Sequence, residues 1–180
     1  MTISKTRALV TALIFVAGLS TGSAAIADAI DDIPVRHWYE VPSSRLDAVD
    51  PCPSNNCDYS GTFGVEGVMV AWSGGAFDSQ RDRLLVWGGG HAAYGGNELY
   101  GFDMNTLQWT RLSNPSTGIS SGESNTYSDG GPRSRHTYNY IEYLPNIDRF
   151  ISFGGSGPWE NGGGGFTRAL STFDFNSGQW

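Results

Sequence analysis

Short apolar runs alternate along this chain with clusters of Gly, Asn, Asp and Pro, and the runs are strand-sized. Four strands are predicted in the first stretch: Val68 to Phe77, Arg83 to Trp87, Asn97 to Asp103 and Gln108 to Leu112. Asp78 to Asp82 and Met104 to Leu107 have the length of hairpin turns, and Gly88 to Gly96 reads as a longer loop. A second stretch predicts His136 to Leu144, Arg149 to Phe153, Arg168 to Asp174 and a last strand beginning at Gln179, with a turn at Phe175 to Gly178. No helix is expected beyond the N-terminal segment and short turns.

The two stretches are copies of one unit. Asp82-Arg83-Leu84-Leu85-Val86-Trp87-Gly88-Gly89 aligns with Asp148-Arg149-Phe150-Ile151-Ser152-Phe153-Gly154-Gly155 at an offset of 66. Phe102-Asp103 and Gln108-Trp109 align with Phe173-Asp174 and Gln179-Trp180 at an offset of 71, so the second copy carries an insertion in its glycine-rich stretch Gly154 to Thr167. A double Gly after the second strand lets the backbone turn through conformations closed to other residues and pass close to a neighbour. The Trp of the fourth strand is expected to pack on an adjacent sheet.

Composition narrows the class. Gly makes up 25 of the 180 residues, aromatics 13% and charged residues only 16%, against about 25% charged in an average domain. A disordered chain would be poor in aromatics and rich in charge, and a helical bundle would be rich in Ala, Glu, Lys and Leu. Aromatics for strands and Gly for turns point to an all-β chain of one domain or two.

The first 27 residues read as a secretory signal peptide. Lys5 and Arg7 precede the apolar run Ala8 to Leu19, and the Ala-x-Ala sites Ala25-Ile26-Ala27 and Ala27-Asp28-Ala29 follow. The alternative is a membrane anchor, but the run of 12 residues falls short of the ~20 that cross a bilayer. Cleavage would remove Lys5 and Arg7 and take the net charge from −7 to −9, leaving no Lys. So acidic a chain excludes nucleic acid as a partner, and no membrane insertion is expected after cleavage. The expected location is secreted or periplasmic. In that oxidising setting Cys52 and Cys57 read as a disulfide. A metal site would need about four ligands, and no His or further Cys lies nearby.

The ordered landmarks resemble the kelch repeat: a hydrophobic strand ending in Gly-Gly, then a Tyr and a Trp. Gly88-Gly89, Tyr100 and Trp109 fit in the first copy, and Gly154-Gly155 and Trp180 in the second, where Ser171 replaces the Tyr. Residues 65–180 are also similar to the propeller domain of galactose-oxidase-like proteins. The resemblance implies an all-β, kelch-type β-propeller fragment of about two four-stranded antiparallel blades. Its divisions are a signal peptide (1–27), an N-terminal extension with a short disulfide loop (28–64), a first blade (65–113), a linker (114–131) and an incomplete second blade (132–180). A propeller takes about four to eight blades, so the chain is expected to be truncated, with the remaining blades in a longer parent. A ring built from several chains is the rival. Residues 28–64 are either a strand that locks the ring or an irregular extension.

Antiparallel topology puts the approach to each first strand and the loop after each second strand on one face. That face collects His91, Tyr94, Asn97, Trp159, Glu160 and Asn161 from the loops, and Arg133, Arg135 and His136 from the approach to the second copy. His91 sits in Gly-Gly-Gly-His-Ala-Ala-Tyr-Gly-Gly-Asn, where backbone N–H groups can approach a ligand. Arg offers bidentate recognition of carboxylate or sulfate, and Tyr94 or Trp159 offers a stacking face. The structural alternatives are an inter-blade hydrogen bond for His91 and inter-blade ion pairs for the arginines. Neither Gly-x-Ser-x-Gly nor His-Glu-x-x-His is present, and no carboxylate pair is brought together for glycoside hydrolysis. The reading is a non-catalytic binding module for a glycan or protein ligand, with no cofactor. The alternative is the N-terminal part of a galactose-oxidase-like oxidase, which implies copper, or of a carbohydrate-active hydrolase. Its catalytic residues would lie beyond residue 180.

Overall fold

The computed structural model describes residues 32–120, 122, 124–159 and 165–180. The signal segment, Glu160 and Asn161 lie outside them. Two antiparallel sheets form the body. The first has the order β1 (Gly75–Asp78), β2 (Arg83–Val86), β3 (Tyr100–Asp103) and β4 (Gln108–Arg111); the second has β5 (Ile141–Leu144), β6 (Arg149–Phe153) and β7 (Leu170–Asp174). Each is a meander in sequence order. Beyond β7 the pairing continues only as a bridge between Asp174 and Gln179, so the second sheet has three strands where four were expected.

Four hairpin turns share one construction. Residues 79–82, 104–107, 145–148 and 175–178 each close on a left-handed residue: Asp82 (φ 47°), Leu107 (φ 55°), Asp148 (φ 51°) and Gly178 (φ 69°). In three of them the Asp ending the strand accepts the turn's backbone N–H groups: Asp78 from Gln80 and Arg81, Asp103 from Asn105 and Thr106, Asp174 from Asn176. This is the Asx-turn chemistry that favours Asp at such positions.

The first predicted strand needs correction. Gly67–Val70 is a single α-helical turn, α1, and pairing starts only at Gly75. Val68 is fully buried while Met69 and Val70 are exposed. A four-residue apolar run does not by itself tell strand from helix. This turn and the 3-10 turns at Leu46–Val49 and Gly64–Glu66 are the helical elements of the described residues, whose regular structure is mostly sheet.

Side-chain alternation puts two cores on the two faces of the first sheet. Ala76, Leu85, Trp87 and Leu99 meet Ile141, Tyr143, Phe150 and Phe173 of the second sheet. Val86 and Tyr100 point the other way and meet Leu46, Val65, Val68 and Tyr94. The two copies share a logic here. Trp180 packs back onto Trp87, Phe150 and Phe173, with ring centroids 5.2, 6.0 and 5.5 Å away. Trp109 packs back onto the N-terminal segment and donates its indole N–H to the Ser44 carbonyl at 2.7 Å. The N-terminal segment thus lies against the first sheet as the first sheet lies against the second. It forms no strand among described residues 32–64. Arg111 Nη1 to the Val49 carbonyl, Gly95 N–H to the Tyr59 carbonyl and Thr62 N–H to the Ala92 carbonyl fasten it.

Cys52 and Cys57 form a disulfide. Among the described residues no helix is long and apolar enough to cross a membrane.

Candidate ligand cleft

The end of the sheets opposite the hairpin turns carries the long loops. The double glycines fix their course. A Cβ on Gly88 would lie 2.7 Å from the Arg135 carbonyl oxygen, and one on Gly155 would lie 2.6 Å from that of His136. The first loop therefore runs directly against the approach to β5, held by Gly89 N–H to the Arg135 carbonyl and Gly90 N–H to Ser134 Oγ. His91 N–H reaches across to the Gly157 carbonyl at 2.6 Å.

Where these backbones cross, a cleft of about 260 Å³ opens, lined by Trp72, His91, His136, Tyr138, Ser156 and Gly157. His136 is at its centre. Its ring lies 4.8 Å from Trp72, 6.0 Å from His91 and 6.3 Å from Tyr138, centroid to centroid. His136 is 7% exposed and its Nε2 is enclosed without a partner among the described residues. Burial, and then the nearby His91, push its pKa below the usual imidazole value, so it stays neutral at pH 7. Tyr138 Oη and Ser156 Oγ share a hydrogen bond of 3.2 Å. Trp72 remains 64% exposed. Larger hollows of about 480, 460, 460 and 430 Å³ lie beside the disulfide loop, beside the linker, against Tyr140, Phe153 and Phe166, and against Val68 and Leu84; the third gathers aromatic rings, but none of the four sets rings around a buried titratable group.

The residues expected at this face divide into two groups. His91 and His136 meet in the cleft. Tyr94, Asn97, Arg133, Arg135 and Trp159 are buried beneath it. Tyr94 donates its hydroxyl to Glu98 Oε1 at 3.0 Å. Asn97 Nδ2 donates to Ser116 Oγ and the Pro132 carbonyl, and its Oδ1 accepts from Ser116 N–H, which pins the linker. Trp159 lies over Gly95, where a Cβ would come within 2.5 Å of the indole. Arg133 donates to the Ser124 and Ser120 carbonyls and lies 4.7 Å from the Tyr127 ring. Arg135 donates to the Arg133 carbonyl and lies 5.4 Å from the Trp87 ring. Burial pulls its pKa down to about 10. The arginines thus bind carbonyls and rings, and none of the ion pairs formed by the described residues includes them.

Glu98, which the sequence offers only as a carboxylate without a pair for glycoside hydrolysis, is buried in the same loop. Desolvation raises its pKa to about 7, and Oε2 has no partner among the described residues.

Trp72, Tyr138, Ser156 and Gly157 were missed, although the repeat marks them. Trp72 and Tyr138 are 66 residues apart, as are His91 and Gly157, which is the offset of the aligned strands. Both pairs have left-handed backbone: φ is 49° and 46° in the first, 47° and 56° in the second. The conformation belongs to the repeat, but only Gly157 meets it with glycine.

No family model, curated protein or solved structure matches the chain. Among the described residues no three His, Cys, Asp or Glu side chains gather into a metal-binding group.

Proposed function

We propose that this chain is an exported kelch-type β-propeller segment acting as a non-catalytic binding module, which takes a glycan or protein ligand at its loop face through the Trp72–His136–Tyr138 cleft. The observation that carries this is the choice of side chains at left-handed positions. A bulky residue at positive φ is an outlier, and that conformation costs an L-residue about 1–2 kcal/mol relative to glycine. Trp72, His91 and Tyr138 all incur it, and all three line the one cleft. Strained residues that converge on a cavity are a mark of ligand sites. The repeat, the disulfide and the long loops on one face support the remainder of the reading.

The test is a screen of the full-length protein against glycan and peptide arrays, repeated with Trp72→Gly and Tyr138→Gly. A ligand captured by the parent and released by both variants, with unchanged thermal melts, supports the reading. Undiminished capture by both variants overturns it.

A further inference from the structure

The proposed ligand cleft is apolar in an unusual way. Its walls are four rings, from Trp72, His91, His136 and Tyr138, and none of the described lining side chains is an acid, a lysine or an arginine. Its hydrogen-bonding groups are largely engaged, with His136 Nε2 the exception among the described atoms. Tyr138 Oη and Ser156 Oγ hold each other. The carbonyls of Trp72, His136, Ser156 and Gly157 accept from the N–H groups of Tyr138, Ser156, His136 and His91.

These facts narrow the chemistry of the group that fits. A ring dense in hydroxyls would bury donors and acceptors with few partners, at a cost of roughly 1–3 kcal/mol each. A carboxylate or sulfate would need a cation, and Arg133 and Arg135 are turned to carbonyls beneath the cleft. A bare ammonium brings three N–H donors to a site whose lining carbonyls already accept. A methylated ammonium has an apolar surface, no N–H to satisfy when fully methylated, and a positive charge that the negative faces of aromatic rings attract. The chain's net charge of −7 adds a long-range field that draws cations in.

We propose that the cleft is a binding site for a quaternary methylammonium group, with Trp72 and Tyr138 as exposed walls and His136 as the floor. This rests on the reading of the same cleft as a ligand site and puts a trimethylammonium-bearing ligand in place of a glycan or protein one. The group can reach the protein as a free ion of the choline type or as a phosphocholine headgroup, and the two present the same trimethylammonium.

The experiment titrates the full-length protein with choline, following Trp fluorescence and calorimetric heat. Parallel titrations use tetramethylammonium and 3,3-dimethylbutanol, the uncharged carbon isostere of choline. Saturable binding of both cations is expected, with the isostere weaker by about tenfold or more, as expected for a cation–π contribution of ~1–2 kcal/mol. Trp72→Gly should lose at least about tenfold in choline affinity while Trp72→Phe keeps most of it. The thermal melts establish that both variants are folded. Vesicles of phosphocholine lipid that retain the protein assign the headgroup as the source; binding of free choline without retention assigns the soluble ion, and either upholds the proposal. Equal binding of choline and its isostere, no saturable choline binding, or undiminished binding by folded Trp72→Gly overturns it. If arrays find another ligand that needs Trp72 and choline does not compete, the methylammonium assignment falls and the binding cleft stands.

Discussion

The two ends of the paired sheets use polar and strained residues in opposite ways. At the hairpin end, Asp78 is fully buried and accepts from two backbone N–H groups, from Arg81 Nη1 at 3.1 Å and from Arg83 Nε at 2.8 Å. Arg81 continues to Asp148 of the second sheet through bonds of 2.8 and 2.6 Å, and Tyr143 Oη donates to the same carboxylate. Left-handed residues there sit where four equivalent turns must close. At the loop end, His136 Nε2, Arg135 Nη1 and Glu98 Oε2 are enclosed without partners among the described residues, and the left-handed residues are a Trp, a His and a Tyr around a cleft. Both ends join the sheets, but only the loop end combines buried polar atoms lacking described partners with aromatic left-handed residues around a cleft. That contrast is the physical basis for seeking function at the loops.

The largest effect should come from breaking the hairpin end. Asp78→Ala leaves Arg81 and Arg83 without their shared buried acceptor, and stability should fall by about 3–5 kcal/mol, read from urea denaturation. An unchanged midpoint would mean that the sheets are held by their apolar core alone.

Next is the buried carboxyl of the loop end. Because burial raises the Glu98 pKa from the ordinary 4.5 to about 7, the fold favours its neutral form. Its contribution is full below pH 4.5 and is lost as pH rises through 7. Stability should therefore decline from pH 5 to 8 by an amount on the order of a few kcal/mol, and Glu98→Gln should flatten that decline. A parallel decline in both proteins would assign the dependence elsewhere.

Asp148 gives the opposite slope and a smaller effect. The Arg81 guanidinium holds its pKa down to about 2, so its contribution is present above 3.8 and lost as pH falls through 2. Asp148→Asn should cost about 1–2 kcal/mol at pH 7, and the difference from the parent should shrink in acid.

The smallest stability change should be at the cleft. Trp72→Gly relieves a left-handed conformation while removing a ring that is 64% exposed, and the midpoint should stay within about 1 kcal/mol of the parent. A loss as large as that of Asp78→Ala would make Trp72 part of the frame and erase the contrast between the ends.

Much of the hairpin end is legible in the sequence. Arg149 to Phe153 is strand β6 residue for residue, and the predicted turns fall where the chain turns. Phe-Asp followed by a short polar run states an Asx turn locally, and Cys52 and Cys57 lie close enough along the chain to pair. The loop end was legible only as a location. Topology placed His91, Arg133, Arg135 and His136 at one end, but a position in a loop does not say which way a side chain points. Arg135 turns inward to Trp87, whereas His136, next in the chain, turns to the cleft. That choice depends on long-range packing of the first loop against the second sheet. Trp72 and Tyr138 were masked for a different reason: both fell inside or beside runs read as plain strand, and their left-handed backbone leaves no local signature in residue type.

The segment lying over the first sheet has a bearing on the order of events during synthesis. Ser44 and Val49 emerge early, but their partners Trp109 and Arg111 follow 65 and 62 residues later. The early segment therefore gains these two tethers only once the fourth strand has appeared, and Leu46, Val65 and Val68 remain wet until Val86, Tyr94 and Tyr100 have followed them. The Cys52–Cys57 loop, with a separation of 5, can close meanwhile without help from any later residue. Once β4 forms, docking is the closure of a long loop rather than a local event, and such contacts are the slow ones. The newborn chain accordingly passes through an interval in which a small oxidised ring is complete while the apolar surface around it waits for its cover.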